Sequence, residues 1–181
     1  MLYYTVSEQD LGLNLLSYRD DKGQGYFLLM ASPGEMSDTA SAKDIVFVLD
    51  TSGSMRVKKI DQAREALRFC VERLAPEDRF NIVQFATGVT MFEEALVTAD
   101  DGHKRQADTF IDNLFARGGT NIDEALVKAL KLFEDSQRPR MIVFITDGDA
   151  TVGTMDMKEI LADLERENDF DVRLFAIGVG D

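Results

Sequence analysis

The sequence contains very little cysteine and histidine, and it has fewer positive than negative charges. Its 181 residues include one cysteine and one histidine, and its 20 Lys and Arg are outnumbered by 33 Asp and Glu, which gives a net charge of −13. The single cysteine, Cys70, excludes a disulfide bond within the chain. The acidic excess argues against nucleic acid and anionic membranes as partners, because both require surfaces rich in Lys and Arg.

Several functional motifs are also missing. No apolar run reaches the ~18 residues of a membrane-spanning helix. The chain has no Gly-x-x-x-x-Gly-Lys motif, the usual signal of a phosphate-binding loop for ATP. His103 lies in a polar stretch without a neighbouring nucleophile, so a Ser-His-Asp triad has little support.

The chain divides into two parts by composition. Residues 1–43 are predicted to form a β-rich segment, because apolar and polar residues alternate over 11–15 and the apolar run 26–30 follows a turn at residues 20–25. The segment ends in the small and polar residues 32–43, which are typical of a linker. The remaining residues, 44–181, are long enough for one domain with its own core.

From Asp44 onward, apolar strands alternate with stretches of helical spacing. Residues 45–49 and 141–145 are continuous apolar runs, as is typical of strands buried on both faces. This order predicts an α/β fold with a doubly wound, mostly parallel, Rossmann-like sheet and helices on both faces. In such sheets the functional crevice lies beyond the carboxyl ends of the strands.

Oxygen-bearing side chains follow those strands. Asp50, Ser52 and Ser54 form an Asp-x-Ser-x-Ser motif after the first buried strand, Thr120 follows a Gly-Gly pair, and Asp147 follows the second buried strand. Carboxylate and hydroxyl oxygens suit a hard cation, so we predict a site for Mg²⁺ first, with Mn²⁺ or Ca²⁺ also possible. Because only two of these side chains are charged, the ion would keep an open position for an Asp or Glu carboxylate of a partner protein.

Three segments resemble the metal-ion-dependent adhesion site of a von Willebrand factor type A (vWA) domain: DIVFVLDTSGSM, GGTNIDEAL and MIVFITDG. The resemblance covers residues 44–181. It implies that Ser52 and Ser54 ligate the ion directly and that Thr120 does so directly or through water. It also implies that Asp50 and Asp147 mostly hold metal-bound waters, and that the sixth position is open to the partner.

Two further segments, KKIDQAREAL and DRFNIVQF, resemble the inter-alpha-trypsin inhibitor heavy chain branch of this family. In that branch a VIT (vault/inter-alpha-trypsin) domain precedes the vWA domain, and residues 2–34 resemble the end of a VIT domain. On this resemblance we expect residues 44–181 to be a vWA domain without its last helices and edge strand. The resemblance also favours a location outside the cell or at its surface.

These observations predict a non-enzymatic, cation-dependent module that binds or adheres to proteins. Two alternatives remain open. In the first, the cation only ties three loops together as a structural scaffold. In the second, MIVFITDGDATV is the nucleophile loop of a Mg²⁺-dependent phosphatase of the haloacid-dehalogenase type, with Asp147 as nucleophile and Asp149 as general acid. The position of this loop near the end of the sequence argues against the phosphatase, which also leaves the two serines and the threonine unused.

Overall fold

The chain folds into two compact units, Met1–Ala40 and Ser41–Asp181. The computed structural model describes residues 11–19, 25–33, 41–56 and 58–179. In the first unit, β1 (Leu11–Arg19) and β2 (Gly25–Pro33) pair in antiparallel fashion. This hairpin is the predicted short β segment, while the turn and most of the linker predicted from the sequence lie outside the described residues.

A six-stranded mixed sheet forms the centre of the second unit. Its strands are β3 (Asp44–Asp50), β4 (Arg79–Phe85), β5 (Val89–Met91), β6 (Val97–Thr98), β7 (Arg140–Thr146) and β8 (Arg173–Gly178). The strand order is β5-β4-β3-β7-β8, and β6 also pairs with β4. The strands β3, β4, β7 and β8 run parallel, whereas the short β5 and β6 are antiparallel to β4.

Helices cover both faces of this sheet, as predicted. They are α1 (Lys58–Glu72), α2 (Asp101–Asp112), α3 (Ile122–Leu130) and α4 (Met157–Glu167). Phe47 of β3 lies in the core formed with α1 and α2, whereas Val48 lies in the core formed with α3 and α4. Successive strand side chains point to opposite faces, so the continuous apolar run of β3 serves two cores. Each fully buried apolar side chain of this kind contributes about 1.5–3 kcal/mol.

Helix α2 begins in a polar stretch, and its first buried apolar residue is Ala107. The carboxylate of Asp100 caps its amino end by accepting hydrogen bonds from the backbone N–H groups of Gly102 and His103. The His103 backbone bond, together with one from the Thr98 hydroxyl, holds the pKa of Asp100 well below its usual range. The first turn of α2 is polar, so a search for apolar periodicity misses it. In the part of the chain that the model describes, no helix is long and apolar enough to cross a membrane.

The centre of the sheet is buried, and its β8 edge is exposed. Strand β3 is buried along its whole length, whereas all six residues of the edge strand β8 are exposed. Strand β3 lies between β4 and β7, and its Leu49 pairs with Ile145 of β7. Asp50 at the end of β3 and Asp147 just after β7 therefore reach the same edge of the sheet.

Candidate metal centre

Asp50 lies at the carboxyl end of β3 and is fully buried, with 0% of the residue exposed. Its Oδ1 accepts a hydrogen bond of 2.7 Å from the backbone N–H of Ser52. Its Oδ2 accepts one of 2.7 Å from the hydroxyl of Thr146. Among the described residues, no Lys, Arg or His forms an ion pair with this carboxylate. Asp50 is thus a buried negative charge that is contacted only by neutral donors.

The two serines of the Asp-x-Ser-x-Ser motif connect this region to Asp147. The Ser52 and Ser54 Oγ atoms are 2.8 Å apart, and the Ser54 hydroxyl donates to Asp147 Oδ1 at 2.7 Å. A hydroxyl has one proton, so with Ser54 donating to Asp147 it is Ser52 that donates to Ser54. Oxygens from Ser52, Ser54 and Asp147 therefore lie side by side, although Asp147 is 93 residues from Ser54.

Asp147 differs from Asp50 in having a cationic partner. Its side chain is also fully buried, and its Oδ2 accepts a hydrogen bond of 2.8 Å from Lys59 Nζ. Lys59 lies in the first turn of α1, the helix that follows the serine motif. One carboxylate of the cluster is therefore paired with a fixed positive charge, and the other is not.

Backbone hydrogen bonds hold the loop of residues 117–121 against the serine motif. The N–H of Gly53 donates to the carbonyl of Gly118 at 3.0 Å, and the N–H of Arg117 donates to the carbonyl of Thr51 at 2.8 Å. These two bonds run in opposite directions between the loops and tie them together.

Thr120 is placed by the same loop. It is buried, its N–H donates to the Thr151 hydroxyl at 2.9 Å, and its carbonyl accepts from the N–H of Thr151 at 2.9 Å. No hydrogen bond joins the Thr120 hydroxyl to the side chains of Ser52, Ser54 or Asp147, all of which the model describes. The structure thus links Asp50, Ser52, Ser54 and Asp147 by hydrogen bonds and places Thr120 in the adjoining loop.

The Gly-Gly pair before Thr120 permits a close approach of backbone to side chains. Gly118 has a φ of +78°, and a Cβ there would lie 2.7 Å from Thr87 Oγ1. A Cβ on Gly119 would lie 2.5 Å from Val152 Cγ2. The Gly119 N–H in turn donates to the Thr87 hydroxyl at 2.9 Å. Glycine is required at position 118 by the left-handed backbone and the lack of space together.

Sequence reasoning missed Lys59 and Thr146, which contact the two carboxylates. Thr146 directly precedes the predicted Asp147, so the signal for it was its place at the end of a strand. Lys59 carries no such signal, because a lysine in the first turn of a helix is usually a solvated surface residue. Its role follows from the packing of α1 beside β7, which brings together residues 88 positions apart.

The donor set fits a hard divalent cation. Hydroxyl and carboxylate oxygens are the ligands preferred by Mg²⁺, Mn²⁺ and Ca²⁺, and Asp50 brings a buried negative charge that a cation would compensate. In the described part of the chain, no three or more His, Cys, Asp and Glu side chains form a cluster that could hold a metal ion by themselves. A cation at this edge would therefore depend on the hydroxyl oxygens of Ser52, Ser54 and Thr120 as much as on the two carboxylates.

A cleft of about 360 Å³ adjoins the serine motif. Thr51, which separates Asp50 from Ser52, forms one wall, and Phe115 and Arg117 form another. The Arg117 guanidinium lies 4.3 Å from the centre of the Phe115 ring, which is 53% exposed. A basic and aromatic surface therefore lines a cleft that shares Thr51 and Gly118 with the loops of the oxygen cluster.

A mostly parallel sheet with an oxygen-rich loop cluster at the carboxyl ends of its strands is typical of open α/β domains, a class in which ligands bind at those ends. The family model of the von Willebrand factor type A domain matches residues 44–181. The chain therefore belongs to the von Willebrand factor type A domain family.

Similar proteins agree with this assignment. The chain is 35% identical to human inter-alpha-trypsin inhibitor heavy chain H4 over 86% of its own length and 17% of that protein. The mouse heavy chain 4 is 32% identical, with 96% of this chain and 20% of that protein covered. The chain thus spans about a fifth of the length of these curated relatives. The resemblance to the heavy-chain branch is confirmed.

Solved structures share the fold at lower identity. A von Willebrand factor type A structure from Catenulispora acidiphila gives a TM-score of 0.70 at 19% identity, covering 99% of this chain and 43% of that chain. The pilus adhesin SpaC from Lactobacillus rhamnosus GG gives a TM-score of 0.65 at 14% identity, covering 93% of this chain and 28% of that chain. These likenesses confirm the predicted α/β fold.

Proposed function

We propose that this domain binds partner proteins through a divalent cation held at the carboxyl edge of its sheet. The observation that carries the proposal is the fully buried Asp50 carboxylate, to which only the Ser52 N–H and the Thr146 hydroxyl donate hydrogen bonds within the described part of the chain. A buried carboxylate without a cation is costly, because burial removes the water that would otherwise solvate the charge. A divalent ion beside the serine oxygens compensates that charge.

The residues of the cluster have different tasks in this proposal. Ser52, Ser54 and Thr120 supply neutral hydroxyl oxygens, which hold a cation without cancelling its charge. Asp50 and Asp147 supply the negative charge, in or just behind the innermost set of ligands. When bound, the ion supplies a positive centre to which an Asp or Glu carboxylate of a partner can attach. Mg²⁺ is our first choice, and Mn²⁺ or Ca²⁺ would fit the same donors.

The surface around the cluster supports a protein partner rather than a small substrate. The cleft beside the serine motif combines an exposed aromatic ring with the guanidinium of Arg117. Aromatic and arginine side chains are enriched at the centres of protein interfaces. The similar pilus adhesin SpaC and the inter-alpha-trypsin inhibitor heavy chains are consistent with an interaction module.

Selection from a peptide library tests this function and reveals the preferred ligand sequence at the same time. The immobilised domain is exposed to phage-displayed peptides in 5 mM Mg²⁺, and bound phage are eluted with EDTA. We expect the recovered peptides to share an Asp or Glu, and their binding to be lost when that acid is replaced by its amide. The Asp50→Ala variant should recover none of them.

Two outcomes would favour the alternatives. If Mg²⁺ raises the melting temperature of the domain but EDTA releases no peptides, the cation is a structural scaffold. Hydrolysis of an aryl phosphate that is lost on Asp149→Asn would support the phosphatase. The geometry does not favour the phosphatase. Asp149, its general acid, is exposed, and Asp147, its nucleophile, is engaged by Ser54 and Lys59.

A further inference from the structure

Lys59 is the one fixed positive charge in contact with a carboxylate of the cluster, as far as the described residues show. Its Nζ lies 2.8 Å from Asp147 Oδ2, and its side chain is 34% exposed while that of Asp147 is fully buried. The helix that carries it is anchored, because the next residue, Ile60, is buried and Ala63, one turn further along, lies in the core beneath α1. Lys59 is therefore held beside Asp147 by the fold, and its charge belongs to the site.

The formal charges of the site depend on this lysine. Asp50 and Asp147 contribute two negative charges, and Lys59 neutralises one of them. With a divalent cation the site then has one net positive charge, which a single carboxylate from a partner would cancel. Without the lysine, the two carboxylates would neutralise the cation by themselves, and a partner carboxylate would meet a site with no net charge.

We propose that Lys59 tunes this site by weakening its hold on the cation and strengthening the attraction of the bound cation for an external carboxylate. The inference rests on the proposed function and identifies a residue that acts on the cation through Asp147. Lys59 is thus a positioning residue with an electrostatic effect. The two effects have opposite signs, because the same positive charge repels the cation and attracts the anion.

A purely structural role for Lys59 predicts a different pattern. If the lysine only held Asp147 in place, its loss would leave the carboxylate misplaced. Cation binding and carboxylate binding would then weaken together. The electrostatic role predicts that cation binding becomes tighter while carboxylate binding becomes weaker, so measuring both separates the two explanations.

The test compares Lys59→Met with Lys58→Met, which removes the same charge from the adjacent, exposed lysine. Mn²⁺ binding is measured from the electron paramagnetic resonance signal of the free ion. Acetate is then titrated into the Mn²⁺-saturated protein, and its binding is followed by water proton relaxation. We expect Lys59→Met to bind Mn²⁺ about tenfold more tightly and acetate about tenfold more weakly than the wild type.

The controls keep the inference separate from the proposed function. Lys59→Arg retains the charge and should behave like the wild type, and Lys58→Met should change both affinities by less than about twofold. If Lys59→Met matches Lys58→Met, or loses both affinities, the inference is overturned while the cation site stands. If the wild-type protein fails to bind Mn²⁺, the proposed function and the inference fall together.

Discussion

The two ends of strand β3 each have a buried aspartate, but the two are compensated in different ways. Asp44 at the amino end is 0% exposed, and its two carboxylate oxygens accept hydrogen bonds of 2.9 and 2.7 Å from Arg79 Nε and Nη2. Arg138 adds a second positive charge at 3.8 Å. Asp50 at the carboxyl end is equally buried, yet among the residues that the structure describes its oxygens accept hydrogen bonds only from a backbone N–H and a hydroxyl.

This difference separates a structural end of the sheet from the end where we propose that a cation binds, called the binding end below. At Asp44 the fold provides its own cation, so the charge is satisfied once the chain is folded. At Asp50 the fold provides neutral hydrogen bonds and a set of adjacent oxygens, but among the described residues no positive charge forms an ion pair with the Asp50 carboxylate itself. The charge at that end is left to be balanced by something that binds.

The largest expected effect comes from removing the built-in cation at the amino end. Arg79→Met leaves Asp44 buried with only the more distant Arg138 to compensate it. We expect a loss of about 3–5 kcal/mol in the free energy of unfolding, measured by urea denaturation. The loss should be the same in Mg²⁺ and in EDTA, because the charge of Asp44 is compensated by arginine and not by a bound ion.

The double variant Asp44→Asn/Arg79→Met is the matched control. It removes the uncompensated charge along with its partner, so it should recover part of the lost stability. A double variant no more stable than Arg79→Met alone would show that packing of the arginine, and not its charge, matters at this end.

At the carboxyl end, replacing Asp50 should change the stability through the cation that we propose to bind there. The wild-type protein should gain about 2.7 kcal/mol of stability when Mg²⁺ is raised to a hundred times its dissociation constant. Asp50→Asn should show no such gain, and in EDTA it should be at least as stable as the wild type, because a buried charge has been removed. Thermal unfolding with Mg²⁺ and with EDTA measures both quantities.

Asp44→Asn sharpens the contrast, because it replaces the same residue type at the other end of the same strand. It should lower the stability both in Mg²⁺ and in EDTA, and it should leave the stability gained from Mg²⁺ unchanged. An equal response of the two variants to Mg²⁺ would mean that the two ends do not differ in the way proposed.

The sequence predicts much of this arrangement but not the contrast between the ends. The apolar run of residues 45–49 predicts a buried strand, and the strand order places Asp50 and Asp147 at one edge. Asp44 and Asp50, however, flank that run in the same way. What distinguishes them is Arg79, which pairing between β3 and β4 brings to Asp44 across 35 residues. Lys59 was missed for the same reason, since helix packing and not local pattern places it.

A third, smaller effect concerns the backbone at the binding end. Gly118→Ala forces an alanine into the left-handed region and places its Cβ 2.7 Å from Thr87 Oγ1. We expect a loss of about 1–2 kcal/mol in stability and a loss of about tenfold in Mn²⁺ affinity, because the Gly118 carbonyl holds the serine motif through Gly53.

Gly88→Ala is the control, since a Cβ there would meet nothing within 4 Å. It should leave both stability and Mn²⁺ affinity close to the wild-type values. If Gly118→Ala lowered stability without changing Mn²⁺ affinity, the loop of residues 117–121 would not help to form the cation site.

The smallest effect returns to the amino end, where it appears as a dependence of stability on pH. Burial raises the pKa of the Asp78 carboxyl, but hydrogen bonds from the Lys43 side chain and from the backbone N–H groups of Lys43 and Ala75 outweigh it. The net pKa of Asp78 is therefore below its ordinary value. The unfolded chain takes up this proton first as the pH falls. The stabilisation is thus complete above the ordinary pKa of about 4 and is lost as the pH falls towards the folded value.

Asp78→Asn should lose less stability than the wild type between pH 5 and pH 3, measured by urea denaturation in EDTA so that no cation contributes. Equal losses in the two proteins would show that the ion pair with Lys43 does not stabilise this end of the sheet.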